Sequence, residues 1–121
     1  MEKDILKPVR WIGSSYDDWK AFPEAVQDVL GYALHLAQNG KKARNAKPLK
    51  GFTGTTVMEI IDDYDSNAWR AVYTIQFQDI IYVLHAFQKK SKKGRVTPKP
   101  DIDLIKHRLK LANGHYETYK T

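Results

Sequence analysis

The chain has 121 residues, 42% of them hydrophobic, and carries 20 Lys and Arg against 14 Asp and Glu for a formal net charge of +6. That length suits one domain with a core of its own, spanning residues 1–121. With no cysteine, a disulfide framework, a thiolate metal site and a Cys nucleophile are excluded; no apolar run reaches the ~18 residues of a membrane span, and MEKDILKPVR lacks the apolar stretch of a signal peptide. A soluble, cytoplasmic protein is expected.

Taken in chain order, Pro8 to Ile12 reads as a short strand. Ser15 to Asp18 fits a capping box that opens a helical stretch. Pro23 suits the first turn of a second helix, in which Val26, Val29, Leu30, Ala33, Leu36 and Ala37 recur at spacings of three and four. Asn39-Gly40 ends it. Gly31, inside it, suggests a close contact. Three strands follow: Thr56 to Asp62, Ala68 to Phe77 and Ile80 to Gln88. The last element is a helix, with Pro98 and Pro100 before it, Asp101 and Asp103 in its first turn and an apolar stripe of Ile102, Ile105, Leu109 and Ala112. Lys106, Arg108 and Lys110 suit its dipole, and Asn113-Gly114 stops it. The order β-α-α-β-β-β-α gives an α+β fold.

The charge is uneven. Eleven of the twenty bases lie in two acid-free segments. The first, residues 39–50, holds Lys41, Lys42, Arg44, Lys47 and Lys50. The second, residues 88–99, holds Lys89, Lys90, Lys92, Lys93, Arg95 and Lys99. The rest of the chain has nine bases against fourteen acids. Such a partition is the footprint of a polyanion-binding surface. The plain alternative is two solvated loops.

Hairpin geometry separates the faces of the sheet. A two-residue turn at Gln78-Asp79 places Thr74 opposite Val83, Val72 opposite His85 and Arg70 opposite Phe87. A four-residue turn at Asp63 to Ser66 places Glu59 opposite Arg70. Alternation then puts Met58, Ile60, Trp69, Ala71, Tyr73, Ile75, Phe77, Tyr82, Leu84 and Ala86 on one face, against the helices. The other face carries Val57, Glu59, Ile61, Arg70, Val72, Thr74, Gln76, Val83, His85, Phe87 and Lys89. This second face is expected to be open and functional.

Arg70 is the sharpest residue on it. A guanidinium mid-strand grips a phosphate or pairs with Glu59 across the strands. His85 is a general acid or base, or a packed structural histidine. Phe87 stacks a base or fills a half-buried site. Asp63, Asp65 and Asn67 imitate the start of a calcium loop, but Ala68 and Thr74 break the pattern. The four histidines have no metal-ligand spacing. Neither metal nor cofactor is expected.

Three blocks together resemble one family. They are Lys47-Pro-Leu-Lys-Gly51 with Val57-Met-Glu-Ile60, Trp69-Arg-Ala-Val-Tyr-Thr74, and Val83-Leu-His-Ala-Phe-Gln-Lys-Lys90 followed by Thr97-Pro98. The chain resembles the phage-related, HigB-like branch of the RelE/ParE toxin superfamily from about Tyr16 to Ala112. The resemblance implies a small RelE-like domain, helices packed on one face of an antiparallel sheet, and a toxin partnered by a helix-turn-helix antitoxin. It also implies ribosome-dependent cleavage of mRNA. By motif, Arg70 becomes the phosphate-contacting arginine and Lys50 the lysine before the motif's glycine. His85, Phe87, Lys89 and Lys90 fall on the fourth-strand block. Many relatives follow the Glu59 position with Leu-Arg. Here Ile60-Ile61 stand instead, so one base used by other branches is missing.

On this reading the catalytic set is Arg70, His85, Glu59 and Lys50. The RNA-binding set is Lys41, Lys42, Arg44, Lys47, Phe87, Lys89, Lys90, Lys92, Lys93 and Arg95. An antitoxin would cover the basic sheet face. Two alternatives stay open: a ParE-like toxin that poisons gyrase without catalysis, and a basic RNA-binding module without toxicity.

Overall fold

Alternating β-branched and aromatic residues from Val57 onward build the centre of the molecule, a five-stranded sheet. The computed structural model describes residues 6–54, 56–89 and 96–120. Its elements are β1 (Val9–Trp11), α1 (Ser15–Lys20), α2 (Glu24–Gln38), β2 (Ala46–Pro48), β3 (Val57–Tyr64), β4 (Asn67–Thr74), β5 (Ile81–Lys89) and α3 (Lys99–Lys120). The strand order is β1-β5-β4-β3-β2. The sheet is antiparallel except where β1 runs parallel to β5. The α+β class holds, with one strand more than expected. That strand, β2, lies inside the first basic segment and pairs with β3 at the sheet edge, where Pro48 is tolerated.

The β3–β4 hairpin is tighter than expected. Asp65 and Ser66 both have positive φ, 54° and 66°, as a two-residue hairpin turn requires. The Asn67 amide donates to Asp65 O at 3.1 Å and the Trp69 indole to Tyr64 O at 3.3 Å, which closes the turn. Arg70 therefore lies opposite Ile61, and Glu59 opposite Val72. A two-residue shift leaves every side chain on its expected face. Between β4 and β5 the difference is larger. The Thr74 hydroxyl donates to Thr56 O at 3.0 Å and accepts from the Gln76 amide, and β4 ends there rather than at Phe77. Arg70 still faces Phe87 and Val72 faces His85, but a bulge at Val72/Tyr73 brings Thr74 opposite Tyr82. Tyr82 and Leu84 thus join the second face, and Val83 the first.

This exchange fixes where the helices go. Met58, Ile60, Ala71, Tyr73, Val83 and Ala86 pack against Trp19 and Phe22, and against Val26, Leu30 and Ala33 of α2. Val57, Val72, Tyr82 and Leu84 pack instead against Ile105 and Ala112 of α3. The helices therefore cover both faces, not one. The bulge turns two more large apolar residues outward, and the stripe of α3 is the apolar surface that buries them.

The local helix signals fared unevenly. α2 ends at Gln38 with Asn39 as its C-cap and Gly40 following at φ +77°, as expected. The N-cap of α1 is Ser14 rather than Ser15, and its side chain bonds to no helix amide; its hydroxyl donates to the Asp18 carboxylate at 2.8 Å, so the expected capping box does not form. A Cβ at Gly31 would meet Trp19 at an ordinary 3.8 Å, so no tight approach demands that glycine. α3 continues through Asn113-Gly114 to Lys120. Contacts beyond Gly114 outweigh its poor propensity. Tyr82 Oη and His115 Nδ1 are 2.6 Å apart, the Tyr116 hydroxyl donates to Asp79 at 2.6 Å, and Tyr116 lies 4.4 Å from the Phe77 ring.

Arg108 is buried, against its expected role as a surface partner of the helix dipole. Its guanidinium donates to Leu84 O at 3.0 Å and to the Ser14 hydroxyl at 3.0 Å. It thus joins α3, the bulged strand and the start of α1. Gly13 makes room for it: φ there is +60°, and a Cβ would stand 2.8 Å from Arg108 Nε. Gly13→Ala is expected to cost about 1–3 kcal/mol from backbone strain alone, with the contact to Arg108 added. Denaturant melts of Gly13→Ala with and without Arg108→Met test this, since the second change removes the contact and should shrink the loss.

Candidate functional site

Strand alternation gathers the polar residues of the second face. Glu59 comes from β3, Arg70 from β4, and His85, Phe87 and Lys89 from β5. Lys47 of β2 pairs opposite Glu59. The face is not open, as the sequence led us to expect. Glu59 is 1% exposed, Arg70 3%, His85 7% and Lys89 8%. The reason is the same bulge that recruits α3: the chain entering that helix, residues 96–101, crosses this end of the face.

Each of these four side chains bonds to that crossing segment. Arg70 Nη1 donates to Glu59 Oε2 at 2.7 Å and to Thr97 Oγ1 at 3.4 Å. The Thr97 hydroxyl donates to the same Glu59 oxygen at 3.1 Å. Lys89 Nζ donates to Val96 O at 2.6 Å. His85 Nε2 lies 2.8 Å from Asp101 Oδ1, and its ring stacks on Phe87 at 4.6 Å and 16°. His85 Nδ1 is buried with no hydrogen-bond partner among the described residues. One ring nitrogen is thus engaged by α3 and the other is shielded.

The electrostatics are lopsided. Glu59 is one carboxylate among Arg70, Lys89 and the exposed Lys47. Burial pushes the Lys89 ammonium below its ordinary 10.5, the Arg70 guanidinium adds to that, Glu59 opposes it and Lys47 reinforces it. A buried, positively biased patch of this kind favours an anion.

The other predicted residues scatter around it. Lys41, Lys42, Arg44 and Lys50 are exposed on the connections flanking β2. Lys50 precedes Gly51, whose Cβ position lies 3.9 Å from Ile102 at the start of α3. Lys90, Lys92, Lys93 and Arg95 lie outside the described residues. Thr97 and Asp101 were missed as site residues. Thr97-Pro98 was visible only as part of a motif and Asp101 only as a first-turn acid, and no local pattern links either to residues 12 or more positions away. Among the described residues no cluster of His, Asp and Glu could hold a metal ion, and no helix is long and apolar enough to cross a membrane.

The Glu59–Arg70 pair is buried, so it behaves unlike the exposed pair the strand pattern suggested. Removing one partner of a buried pair typically costs about 3–5 kcal/mol, because the other charge is left in the interior. Glu59→Ala should therefore lower stability by that order. The double change Glu59→Leu with Arg70→Met should cost less than the single one, as chemical denaturation can measure.

Lys89 adds a pH dependence. Its folded pKa lies below its unfolded one, so the unfolded chain binds more protons between the two values. Stability then rises as pH climbs through that window towards 10.5. Denaturation midpoints taken from neutral pH to about 10.5 should improve for the wild type relative to Lys89→Met. Parallel curves would contradict this.

No curated protein matches the chain. Among solved structures, a chain of the toxin–antitoxin complex RelBE2 from Mycobacterium tuberculosis aligns at 14% sequence identity and a TM-score of 0.47, over 75% of this chain and 100% of that one. The family model described as phage derived protein Gp49-like matches residues 17–110, a span that includes every residue of the buried polar cluster. The chain belongs to the Gp49-like family of phage-derived proteins.

Proposed function

We propose that this protein is the toxin of a type II toxin–antitoxin pair, of the HigB-like branch of the RelE/ParE superfamily, and that it cleaves mRNA on the ribosome. One observation carries the reading most: the sheet gathers Arg70, Lys89, Lys47, Glu59 and His85 on one face, with more positive than negative charge. Membership of a phage-derived family and the motif blocks quoted above support it.

The chemistry needs no metal. A ribose 2′-oxygen forms a bond to the neighbouring phosphorus, the bond to the 5′-oxygen breaks, and a cyclic phosphate and a 5′-hydroxyl result. One group takes the 2′ proton and one supplies a proton to the leaving oxygen. Arg70 stabilises the charge on the phosphorane, oriented by Glu59, while Lys47, Lys50 and Lys89 neutralise phosphates. His85 is the proton-transfer residue, exchanging Asp101 for substrate at Nε2. Residues 96–101 must give way for RNA to arrive, and the ribosome supplies the positioning that admits it. The surrounding bases, Lys41, Lys42, Arg44, Lys90, Lys92, Lys93 and Arg95, hold the message. The neutralising partner is a helix-turn-helix antitoxin, and the site of action is the cytoplasm.

A second reading has its own support. Arg70 is buried against Glu59, as a structural residue would be. That suits a ParE-like toxin that poisons gyrase through its surface without catalysis.

Induced expression with RNA 5′-end mapping, with and without translation, separates the two. Translation-dependent cleavage is expected. Arg70→Ala should lower it about 10²–10³-fold. The fold is controlled by comparing the doubly changed Glu59→Leu, Arg70→Met protein, whose melting temperature should stay nearer the wild type. Cleavage undiminished in that folded double variant would remove Arg70 from the chemistry. Growth arrest without cleavage would move the assignment to gyrase.

A further inference from the structure

Of the segment that crosses the polar cluster, residues 96–101, only Thr97 is buried. Val96, Pro98, Lys99 and Pro100 are exposed, Val96 to 72%, and Asp101 is half-buried. The segment therefore buries little apolar surface, and its ties to the sheet among the described residues are polar. Thr97 Oγ1 bonds to Glu59 and Arg70, Val96 O accepts from Lys89, and Asp101 meets His85. From Ile102 onward the hold on α3 is of another kind. Ile105 and Ala112 are fully buried, Ile102 and Leu109 pack beside them, and Arg108 is tied to Leu84 O. Since α3 begins at Lys99, lifting the segment unwinds only the first turn of the helix. Pro98 and Pro100 have no amide hydrogen to give up, and their fixed φ stiffens the segment.

We propose that residues 96–101 are an autoinhibitory strap: the segment lifts from the sheet as a unit while α3 stays seated from Ile102, and an RNA phosphate takes its place on Arg70 and Lys89. The proposal rests on the RNA-cleaving reading above. Polar contacts can be exchanged for equivalent ones at little net cost, whereas apolar burial is lost outright when a segment lifts. The strap offers the buried cations neutral oxygens, Thr97 Oγ1 to Arg70 and the Val96 carbonyl to Lys89. A phosphate offers charged oxygens, which bond more strongly. It therefore favours the open state over the closed one, as a shift in population requires. Glu59 stays in both states, because it belongs to β3, and keeps the Arg70 guanidinium oriented. Without ligand the strap keeps the buried cations out of reach of a polyanion. The free protein then binds RNA more weakly than its open site would, by the fraction of molecules that are open.

The test reads the strap through His85 in the full-length wild-type chain. Its Nδ1 is buried and its Nε2 sits on Asp101, so diethyl pyrocarbonate reaches the ring only when the strap lifts. His107 is exposed on α3 and serves as the internal reference. The protection of His85 relative to His107 should be at least about 10-fold smaller than the global unfolding constant from urea melts. Thr97→Val removes the hydroxyl that bonds Glu59 and Arg70, with no change in charge. Loss of a hydrogen bond to a charged group shifts an equilibrium by roughly 10- to 150-fold, so His85 should react about 10-fold or more faster in that variant. Binding of a short single-stranded 2′-O-methyl RNA, followed by fluorescence anisotropy, should tighten by the same factor. Thr97→Ser, which restores the hydroxyl, should return both readings to wild-type values. If a thermal melt shows Thr97→Val to be unfolded, Asp101→Ala replaces it in the RNA measurement, with Asp103→Ala as the control for the lost charge. Asp101→Ala should then bind the more tightly of the two, and equal affinity overturns the proposal. His85 protection equal to the unfolding constant overturns the strap and leaves the RNA reading intact. Faster reaction of His85 in Thr97→Val with RNA affinity unchanged describes a strap that does not exclude RNA, and also overturns it. Binding of the RNA by neither wild type nor variant removes the RNA reading and the proposal together.

Discussion

A guanidinium buried in the middle of the sheet constrains everything around it. Arg70 lies under the entry to α3 and cannot shed its charge, so its surroundings must supply acceptors. Glu59 supplies a carboxylate from the neighbouring strand, and Thr97 links to both partners of the pair. That arrangement needs residue 97 at one place above the sheet. It therefore fixes where the second basic segment returns and where α3 begins. The His85–Asp101 bond fixes the same helix one turn further on. A sheet face with hydrophobic residues alone would bind α3 without prescribing its register. The polar cluster prescribes it.

The far end of α3 is set by different means. Arg108 takes the carbonyl of Leu84, the residue that the bulge displaces from ordinary pairing. A bulge leaves backbone groups without ladder partners, and a buried carbonyl without a donor costs about 1–3 kcal/mol. The arginine answers that deficit and at the same time reaches Ser14 at the cap of α1. Further along, Tyr82, His115, Tyr116 and Asp79 form hydrogen-bonded pairs across the helix and the β4–β5 connection. Burial raises the Tyr82 phenol above its ordinary pKa, and the bond to Asp79 pushes Tyr116 up to about 12. Both phenols stay protonated through the physiological range, so both can act as donors there.

Much of this architecture is legible in the residues themselves, and the failures have identifiable causes. Alternation alone placed Glu59, Arg70, His85, Phe87 and Lys89 on one face. It did so even with the β3–β4 register displaced, because a shift of two preserves sides. The bulge at Val72/Tyr73 has no glycine or proline to announce it, so alternation put Tyr82, Val83 and Leu84 on the wrong faces. With them misplaced, α3 was expected beside the other helices: its stripe says that the helix is buried, not against which face. The closing of the polar face follows from that choice, and so was equally invisible. Arg108 has the same appearance in sequence as a solvated arginine near a helix end. Only the left-handed Gly13, 95 positions earlier in the chain, makes space for its inward course.

The two basic segments also separate once the fold is known. Lys47 sits on the edge strand β2, opposite Glu59 and beside Pro48. Charge and proline on an edge strand discourage pairing with another chain, so Lys47 has a sufficient structural reason to be basic. Lys89 likewise has one, since its ammonium holds Val96 in place. Lys41, Lys42, Arg44 and Lys50 have no such reason. They are exposed, and no hydrogen bond or ion pair to another side chain is seen for them among the described residues. A protein indifferent to polyanions gains nothing from clustering unpaired like charges, which repel one another. The solvated bases therefore support the proposed RNA partner independently of the buried cluster that carries the chemistry. The buried cations also serve the fold, whereas the solvated ones have no structural partner among the described residues.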